Sequence, residues 1–257
     1  MPFLEVSDVC YTYPGANSVE ALRNLTFGVE QNQFVSVIGP SGSGKSTLLR
    51  LISDLLAPTT GRVSIQGQPS QAARQRREIG FVFQEPALMP WRSAMKNVRL
   101  PLEVMKKNGD SGRQTAESLL NLVGLKDFQR QRPEELSGGM RQRVSIARAL
   151  TYDPPLLLMD EPFGALDQIT RDEMGHELLN IWTQRQSTVV FVTHSIAEAI
   201  YLSDRVIVLS SRPGTIVDVI DVPLARPREL EMRRSPAFVQ TEGRLLGALE
   251  GRAATHG

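Results

Sequence analysis

The fold of this chain is decided by the stretch Gly39-Pro40-Ser41-Gly42-Ser43-Gly44-Lys45-Ser46-Thr47. It follows the apolar run at residues 34–38 and precedes helical spacing at residues 47–52, which is the strand–loop–helix context that a phosphate-binding loop requires. Its glycines let backbone N–H groups converge on an anion, and the start of the following helix adds positive charge. The stretch therefore predicts an α/β fold with a triphosphate site of the P-loop type.

Individual residues of this loop have predicted roles in that site. Lys45 would reach the β- and γ-phosphates, Ser46 would donate its hydroxyl oxygen to Mg²⁺, and Thr47 would lie beside it near the phosphates. The preceding residues would form the anion cradle, and they are Gly39, Pro40, Ser41, Gly42, Ser43 and Gly44.

Composition narrows the class of protein. Of 257 residues, 29 are Lys or Arg and 28 are Asp or Glu, so the net charge is +1 and a surface built to neutralise nucleic-acid phosphates is not expected. The single cysteine, Cys10, excludes an internal disulfide and is consistent with a reducing compartment. No apolar run approaches the roughly 20 residues of a membrane-spanning helix, and the N-terminus is acidic where a signal peptide would be basic. We therefore expect a cytosolic chain that reaches a membrane only through a partner.

Hydropathy patterning predicts strands that alternate with helices. Short apolar runs bounded by polar residues indicate buried strands, and longer spacing of three to four residues indicates helices. The predicted strands cover residues 3–10, 21–29, 62–66, 79–83, 155–159, 188–192, 205–210 and 216–221, with a turn at 14–17. The predicted helices cover residues 95–125, interrupted at 108–112, and 166–185. We expect residues 74–77 to be solvated, the chain after residue 222 to be irregular up to a short apolar stretch at 245–249, and residues 251–257 to be frayed.

A second stretch, Leu136-Ser137-Gly138-Gly139-Met140-Arg141-Gln142-Arg143, lies far along the chain. A serine followed by glycines opens the helical spacing at residues 144–150, which predicts a second helix start able to receive an anion. Alone, such a pattern is usually only a helix cap. It lies between the phosphate loop and the run Leu156-Leu157-Leu158-Met159-Asp160-Glu161, and this order closely resembles the ABC ATPases, in which the stretch is the signature sequence.

The resemblance implies a set of residues around the triphosphate of ATP. Asp160 would hold Mg²⁺ through water, together with Ser46 and Gln84. Glu161 would be the general base that polarises the attacking water, and His194 would be the switch histidine that contacts the γ-phosphate. Gln84 would also reach the water and sense a membrane partner. Without the matching phosphate loop, these side chains would be interpreted as an ordinary strand end, a loop amide and a structural histidine.

The resemblance also implies a site shared between two copies of the chain. Asp167, in the segment Ala165-Leu166-Asp167, would belong to the loop that crosses the dimer interface. Tyr13 stands where the family stacks an aromatic ring on adenine, and Tyr11, on the same strand face, remains an alternative. The ATP bound by one copy would be covered by the signature residues of the other, which are Ser137, Gly138 and Gly139.

The fold implied by the resemblance is a P-loop NTPase of the ABC cassette type with an N-terminal antiparallel β element and a helical insertion. The whole of residues 1–257 would form one ATP-binding domain. Its RecA-like core would span about residues 1–92 and 126–222, its helical subdomain about 93–125, and a C-terminal tail about 223–257.

Within the family, two segments resemble the bacterial importer branch that serves nitrate, sulfonates and taurine. They are residues 84–91 and residues 201–214. The branch implies a paired ATP-binding subunit, expected to be a homodimer, on the cytoplasmic face of the cell membrane. It also implies two permease subunits and an external substrate-binding protein, and these partners select the solute. Because few residues follow Asp221, we do not expect the regulatory domain that related sugar importers add.

Two other classes of protein with a phosphate loop fit the sequence less well. An ABC-type ATPase of DNA repair or of ribosomes would carry long coiled-coil insertions or tandem cassettes, and neither sustained heptads nor internal repetition is present. A P-loop kinase for small molecules would explain the phosphate loop but not residues 136–140 or His194.

The segment after Gln84 is unusually apolar for a loop. Pro86-Ala87-Leu88-Met89-Pro90-Trp91 places prolines and large apolar side chains next to the glutamine that faces the nucleotide. One hypothesis makes it a permease contact, because exposed apolar loops mark interaction sites. The alternative is that Leu88 and Trp91 pack under the helical insertion, since tryptophan is usually largely buried.

Overall fold

The computed structural model describes residues 1–15, 18–107 and 109–251, which form two sheets and eight α-helices within those ranges. The strands are β1 Leu4–Tyr13, β2 Val19–Val29, β3 Phe34–Ile38, β4 Thr60–Ile65, β5 Gln68–Pro69, β6 Ile79–Val82, β7 Leu156–Asp160, β8 Thr188–Val192, β9 Arg205–Leu209 and β10 Ile216–Asp221. The helices are α1 Lys45–Ile52, α2 Ser70–Gln75, α3 Ala94–Val104, α4 Asp110–Leu122, α5 Gly138–Leu150, α6 Gln168–Arg185, α7 Ile196–Leu202 and α8 Pro236–Glu250. Short 3-10 turns cover Lys126–Phe128, Pro133–Glu135 and Leu230–Arg234.

The larger sheet brings distant parts of the sequence to one edge. Its order is β10-β9-β3-β8-β7-β6, and all neighbours are parallel except β10, which runs antiparallel to β9. Every residue of β3, β7 and β8 is buried, as expected for strands covered on both faces. Because parallel strands end together, the phosphate loop after β3, Gln84 after β6, Asp160 at the end of β7 and His194 after β8 lie at the same edge.

The smaller sheet is antiparallel and has the order β2-β1-β4-β5. Strand β1 extends beyond the predicted end at Cys10, so that Tyr13 pairs with Val19 where the hairpin closes. Residues 16 and 17 of the predicted turn lie outside the described residues.

Two apolar cores hold these layers together. Val35 and Val37 face the core between the two sheets, where α1 contributes Leu48. Phe34 and Ile38 face the other core, which is built against the helices that follow. The alternation along β3 therefore fixes the phosphate loop between two packed layers.

The structure corrects the prediction for the C-terminal part of the chain. Residues 236–250 form helix α8 instead of an irregular segment, with Ser235 as N-cap and Pro236 in the first turn. The Ser235 hydroxyl accepts a hydrogen bond from the Phe238 N–H at 3.3 Å, and Phe238 and Leu245 are buried. A Ser-Pro helix start was thus present in the sequence. Residues 252–257 lie outside the described residues.

Smaller corrections concern two polar segments. Residues 74–77 are exposed, as predicted, but Arg74 and Gln75 belong to the short helix α2, which buries Ser70 and Ala73. Helix α4 begins at Asp110, inside the predicted interruption. In the described part of the chain, no helix has the length and apolarity that crossing a membrane requires.

Candidate functional site

A cleft of about 300 Å³ opens where the edge of the larger sheet meets the antiparallel β element. It is bounded on one side by the phosphate loop and the start of α1, and on the other by the ends of β6, β7 and β8. The residues that line it are Tyr13, Val19, Ala21, Ser41, Gly42, Ser43, Gly44, Lys45, Ser46, Thr47, Gln84, Glu161, His194 and Arg212. Most of the residues predicted for one triphosphate site therefore meet in one cleft.

The phosphate loop has the shape of an anion cradle. Gly42 and Gly44 have φ angles of 78° and 88°, in the left-handed region that favours glycine. A Cβ atom on Gly44 would lie 2.4 Å from Leu22 Cδ2, so a side chain has no room there. No side chain caps α1, which begins at Lys45, and its first N–H groups remain available to a ligand.

Lys45 is folded against the loop. Its ammonium donates to the carbonyl oxygens of Gly39 at 2.8 Å and Pro40 at 3.0 Å, and its side chain also lies 3.4 Å from Ser43 Oγ. Burial lowers the pKa of Lys45, and the nearby carboxylates of Glu161 and Asp160 oppose that shift. Gly39 and Pro40 thus hold the lysine and do not line the cleft themselves.

Asp160 and Ser46 form a pair of oxygen ligands at the end of β7. The Ser46 hydroxyl donates to Asp160 Oδ1 at 2.9 Å. Asp160 is buried, which raises its pKa, while the hydrogen bond from Ser46 opposes the rise. Among the described residues no group of three or more His, Cys, Asp or Glu side chains is arranged to hold a metal. A cation here would depend on few protein ligands plus phosphate and water, which is the coordination that Mg²⁺ adopts in phosphate sites.

Glu161 is held between two other predicted residues. Its Oε1 lies 2.6 Å from His194 Nε2, and its Oε2 accepts a hydrogen bond from Gln84 Nε2 at 3.3 Å. Its backbone N–H donates to Val192 O at 3.0 Å, which fixes it to the neighbouring strand. Three strand ends therefore converge on one carboxylate that faces the cleft.

The two tyrosines that the sequence leaves open have different environments. Tyr13 lines the cleft, and its hydroxyl lies 2.9 Å from Thr47 Oγ1. Tyr11 is buried and packs edge-to-face against Tyr13, with 4.9 Å between ring centroids. This geometry favours Tyr13 over Tyr11 as the aromatic ring that is available to stack on an adenine ring.

The signature residues and Asp167 lie outside this cleft. The Ser137 hydroxyl accepts a hydrogen bond from Met140 N at 3.2 Å and caps α5. Asp167 caps α6 and accepts from Thr170 N at 3.0 Å, and this hydrogen bond lowers the pKa of Asp167. The two segments adjoin each other, since a Cβ on Gly139 would lie 2.7 Å from Leu166 Cδ2. They form a separate surface of the chain.

The loop after Gln84 is fixed by side chains from two helices. The Arg148 guanidinium donates to Pro86 O and Ala87 O, both at 2.8 Å, and Gln142 Nε2 donates to Phe83 O at 3.1 Å. Both belong to α5. From α3, Asn97 Nδ2 donates to Met89 O at 3.2 Å and Asn97 Oδ1 accepts from Met89 N at 2.8 Å.

The structure places the two large side chains of this loop, Leu88 and Trp91, in different environments. Leu88 is half-buried and packs against the core, as the packing alternative predicts. Trp91 is 69% exposed, so burial under the helices is wrong for this residue.

Sequence reasoning missed Arg212 as a residue of the cleft. Arg212 belongs to the turn between β9 and β10, which is remote in sequence from every predicted site residue. In the sequence, its segment at residues 201–214 indicates only a resemblance to the importer branch. No local pattern indicates that this turn reaches the phosphate loop.

The fold and the cleft define a P-loop nucleoside-triphosphate-binding protein, and comparison with known proteins gives the family. The ABC transporter family matches residues 22–164. An uncharacterized ABC transporter ATP-binding protein of Methanocaldococcus jannaschii, MJ0412, is 46% identical over 91% of this chain and 86% of its own length. The nitrate import ATP-binding protein NrtD of Synechococcus elongatus is 43% identical over 98% of this chain and 93% of its own length. The aliphatic sulfonates import ATP-binding protein SsuB of Bacillus anthracis is 41% identical over 93% of this chain and 92% of its own length.

A solved structure agrees with this assignment. The dimeric bacterial ABC transporter cassette MJ0796 superimposes with a TM-score of 0.78 at 36% identity, covering 86% of this chain and 100% of that one. The same cassette in a post-hydrolysis state with ADP and Pi has a TM-score of 0.75, also at 36% identity, and covers 84% of this chain and 99% of that one. The chain belongs to the ABC transporter ATP-binding family, and the predicted P-loop fold is confirmed.

Proposed function

We propose that this chain is the ATP-hydrolysing subunit of an ABC importer for a small solute and that Glu161 is its general base. The observation that carries the proposal is the convergence of His194 and Gln84 on the Glu161 carboxylate, at 2.6 and 3.3 Å. A carboxylate held from both sides beside a phosphate loop has the orientation that polarising a water requires.

In the proposed reaction the chain positions ATP and the attacking water. The loop N–H groups and Lys45 bind and neutralise the phosphates, and Tyr13 stacks on adenine. Glu161 accepts a proton from the water while the water oxygen bonds to the γ-phosphorus. The bond from that phosphorus to the bridging oxygen breaks, and ADP and inorganic phosphate leave. His194 orients Glu161 and contacts the γ-phosphate.

Mg²⁺ fits the residues at the end of β7. Asp160, Ser46 and Gln84 offer carboxylate, hydroxyl and amide oxygens, and the first two are already 2.9 Å apart. Such hard oxygen ligands suit this ion. When bound, Mg²⁺ would neutralise developing charge on the phosphate oxygens.

The proposed active form is a head-to-tail homodimer. Dimeric structures of the similar cassette MJ0796 support it. So does the position of Ser137, Gly138, Gly139 and Asp167 outside the cleft of their own chain, because these residues remain available to a second copy. Helix starts from both copies would then meet on the phosphates.

The importer branch supplies the remaining partners. Relatives named for nitrate and sulfonate import support a small anionic solute, selected by two permeases and an external binding protein. The chain would act as a peripheral subunit at the cytoplasmic face of the bacterial cell membrane, with no nucleic-acid partner. We retain the division into a core at about 1–92 and 126–222, a helical subdomain at about 93–125 and a tail from about 223.

Glu161→Gln tests the proposed base. The amide keeps the size and hydrogen bonding of the side chain but cannot accept the proton, so we expect hydrolysis to fall by about 10²–10⁴-fold while ATP still binds. Size-exclusion chromatography with Mg-ATP should show a closed dimer accumulating. Glu30→Gln, an exposed carboxylate remote from the cleft, is the matched control and should hydrolyse ATP normally. Normal turnover by Glu161→Gln would show that Glu161 is not the base.

A further inference from the structure

The turn between β9 and β10 is held in one conformation by Ser210. The N–H of Thr215 donates to Ser210 Oγ at 2.9 Å, and the N–H of Ser210 donates to Thr215 O at 2.9 Å. The intervening residues include Arg212 and Gly214. The positions of Arg212 and Gly214 are therefore fixed by the hydrogen bonds that close the turn between β9 and β10.

Gly214 packs this turn directly against the phosphate loop. A Cβ atom on Gly214 would lie 2.1 Å from Ser43 O, so only glycine allows the approach. The N–H of Gly214 donates to Ala21 O at 2.9 Å, and the N–H of Arg23 donates to Gly214 O at 3.0 Å. The turn therefore packs between β2 and the phosphate loop.

This packing places the Arg212 guanidinium at the cleft. Arg212 lines the cleft, and its Nη2 lies 3.5 Å from the position that a Cβ on Gly42 would take. Within residues 1–15, 18–107 and 109–251, it makes no hydrogen bond and no ion pair. Lys45, in contrast, is occupied by loop carbonyls. Arg212 is the cation of the cleft whose donors are free.

The charge of the cleft favours a polyanion near Arg212. Of the described lining residues, Lys45 and Arg212 carry positive charge and Glu161 carries negative charge, and Glu161 already contacts His194. Two cations beside one loop repel each other unless an anion lies between them. Guanidinium groups bind phosphate oxygens through parallel hydrogen bonds.

We propose that Arg212 binds the phosphate chain of the nucleotide and acts as a second phosphate-binding cation beside Lys45. The inference rests on the proposed nucleotide site. It assigns the turn between β9 and β10 to the binding site as well as to the sheet. The competing interpretation is a solvated arginine at the rim of the cleft.

The test compares AMP, ADP and ATP binding by calorimetry in EDTA, where hydrolysis does not run. We expect Arg212→Ala to weaken ATP binding about tenfold, which is the low end of the effect of losing a charged hydrogen bond. ADP should also lose affinity, and AMP should lose least because it carries the fewest phosphates. Arg212→Lys should recover part of the loss. Arg62→Ala, an exposed arginine of β4 outside the cleft, is the matched control.

Three outcomes are distinguishable. Unchanged ATP affinity in Arg212→Ala would overturn the inference and leave the proposed function intact. An equal loss for all three nucleotides, accompanied by a lower Tm, would overturn it in favour of a structural role. Failure of the unaltered chain to bind ATP would reject the nucleotide site itself, and the inference with it.

Discussion

Glu161 occupies a backbone position that a non-glycine residue rarely adopts. Its φ angle of 46° lies in the left-handed region, which costs of order 1 kcal/mol or more in such a residue. Backbone hydrogen bonds fix it there, from Glu161 N to Val192 O at 3.0 Å and from Gly164 N to Glu161 O at 3.1 Å. The conformation turns the carboxylate toward His194 and Gln84. Other non-glycine residues of the chain also have positive φ angles, so it is the contacts of the Glu161 carboxylate with His194 and Gln84 that support a chemical role.

Asp160 gives a prediction with opposite effects on stability and activity. Burial raises its pKa, so the ionised form is less favourable in the folded than in the unfolded chain. Protonated Asp160 therefore contributes to the free energy of unfolding at low pH. This contribution is lost as the pH rises above about 4, the ordinary pKa of an aspartate in the unfolded chain. Asp160→Asn removes the charge and keeps an oxygen acceptor for Ser46. In EDTA at pH 7 we expect Tm to rise by about 2 °C or more, while Mg-dependent hydrolysis falls at least about 100-fold.

The pH dependence of Tm distinguishes the effect of removing the Asp160 charge from other effects of the substitution on stability. The difference in Tm between the two proteins should shrink as the pH falls below about 4, because Asp160 then becomes protonated in the folded and the unfolded chain alike. A variant that is less stable at every pH would contradict the cost assigned to the buried carboxylate. The measurement is differential scanning calorimetry across pH.

At the scale of elements, α5 connects the signature segment with the region around Gln84. Its first residue follows Ser137, its buried Gln142 donates to Phe83 O just before Gln84, and its half-buried Arg148 holds the backbone of the loop after Gln84. Burial lowers the pKa of Arg148, yet its guanidinium remains the donor to two loop carbonyls. A displacement of the signature would therefore be transmitted to the apolar loop through one helix.

Arg148→Met tests this connection. It keeps the apolar stem and leaves the carbonyls of Pro86 and Ala87 without their donor, at a cost of about 1–3 kcal/mol. We expect a lower Tm, unchanged ATP binding, and reduced stimulation of hydrolysis by the permeases in lipid. Arg143→Met is the matched control, because Arg143 lies on the same helix and donates instead to Val123 O at 3.2 Å. Equal stimulation of both variants would remove α5 from the coupling path.

Elements also show which features the sequence can predict. Lys45, Gln84, Glu161 and His194 follow buried parallel strands, and such strands end at one edge whatever the loops between them do. Arg212 reaches the cleft only through the approach of Gly214 to Ser43, a tertiary contact with no local pattern. The sequence does not predict helix α8 because glycines interrupt the apolar spacing of a helix there, although Ser235-Pro236 is a typical helix start.

At the scale of the whole molecule, the exposure of Trp91 supports the hypothesis that the loop after Gln84 contacts a permease. It is 69% exposed, whereas Leu88 from the same loop packs into the core. Trp91→Ala should therefore leave Tm and ATP binding unchanged and weaken co-purification with the permeases. Val239→Ala, an exposed apolar residue of α8, is the control and should keep full co-purification. Full co-purification of the Trp91 variant would exclude this side chain from the interface.

The shared site is tested by mixing two inactive variants. Lys45→Ala damages the phosphate loop, and Ser137→Arg puts a bulky cation on the surface that would cover the other copy's ATP. Each homodimer then has two defective sites, but a mixed dimer has one site with both defects and one site with none. If the two sites act independently, random mixing yields about a quarter of the unaltered activity, since about half of the dimers are mixed and each has one intact site.

A nucleotide-dependent crosslink decides the remaining case. If mixing restores no activity, the sites are either strictly coupled or not shared. Cysteines placed near Gly42 and near Ser137, after replacement of Cys10, should crosslink between chains in the presence of ATP and not in its absence. A crosslink without recovered activity would indicate coupling between two shared sites. Its absence in ATP would contradict the head-to-tail arrangement, since the signature of one copy would then never approach the phosphate loop of the other.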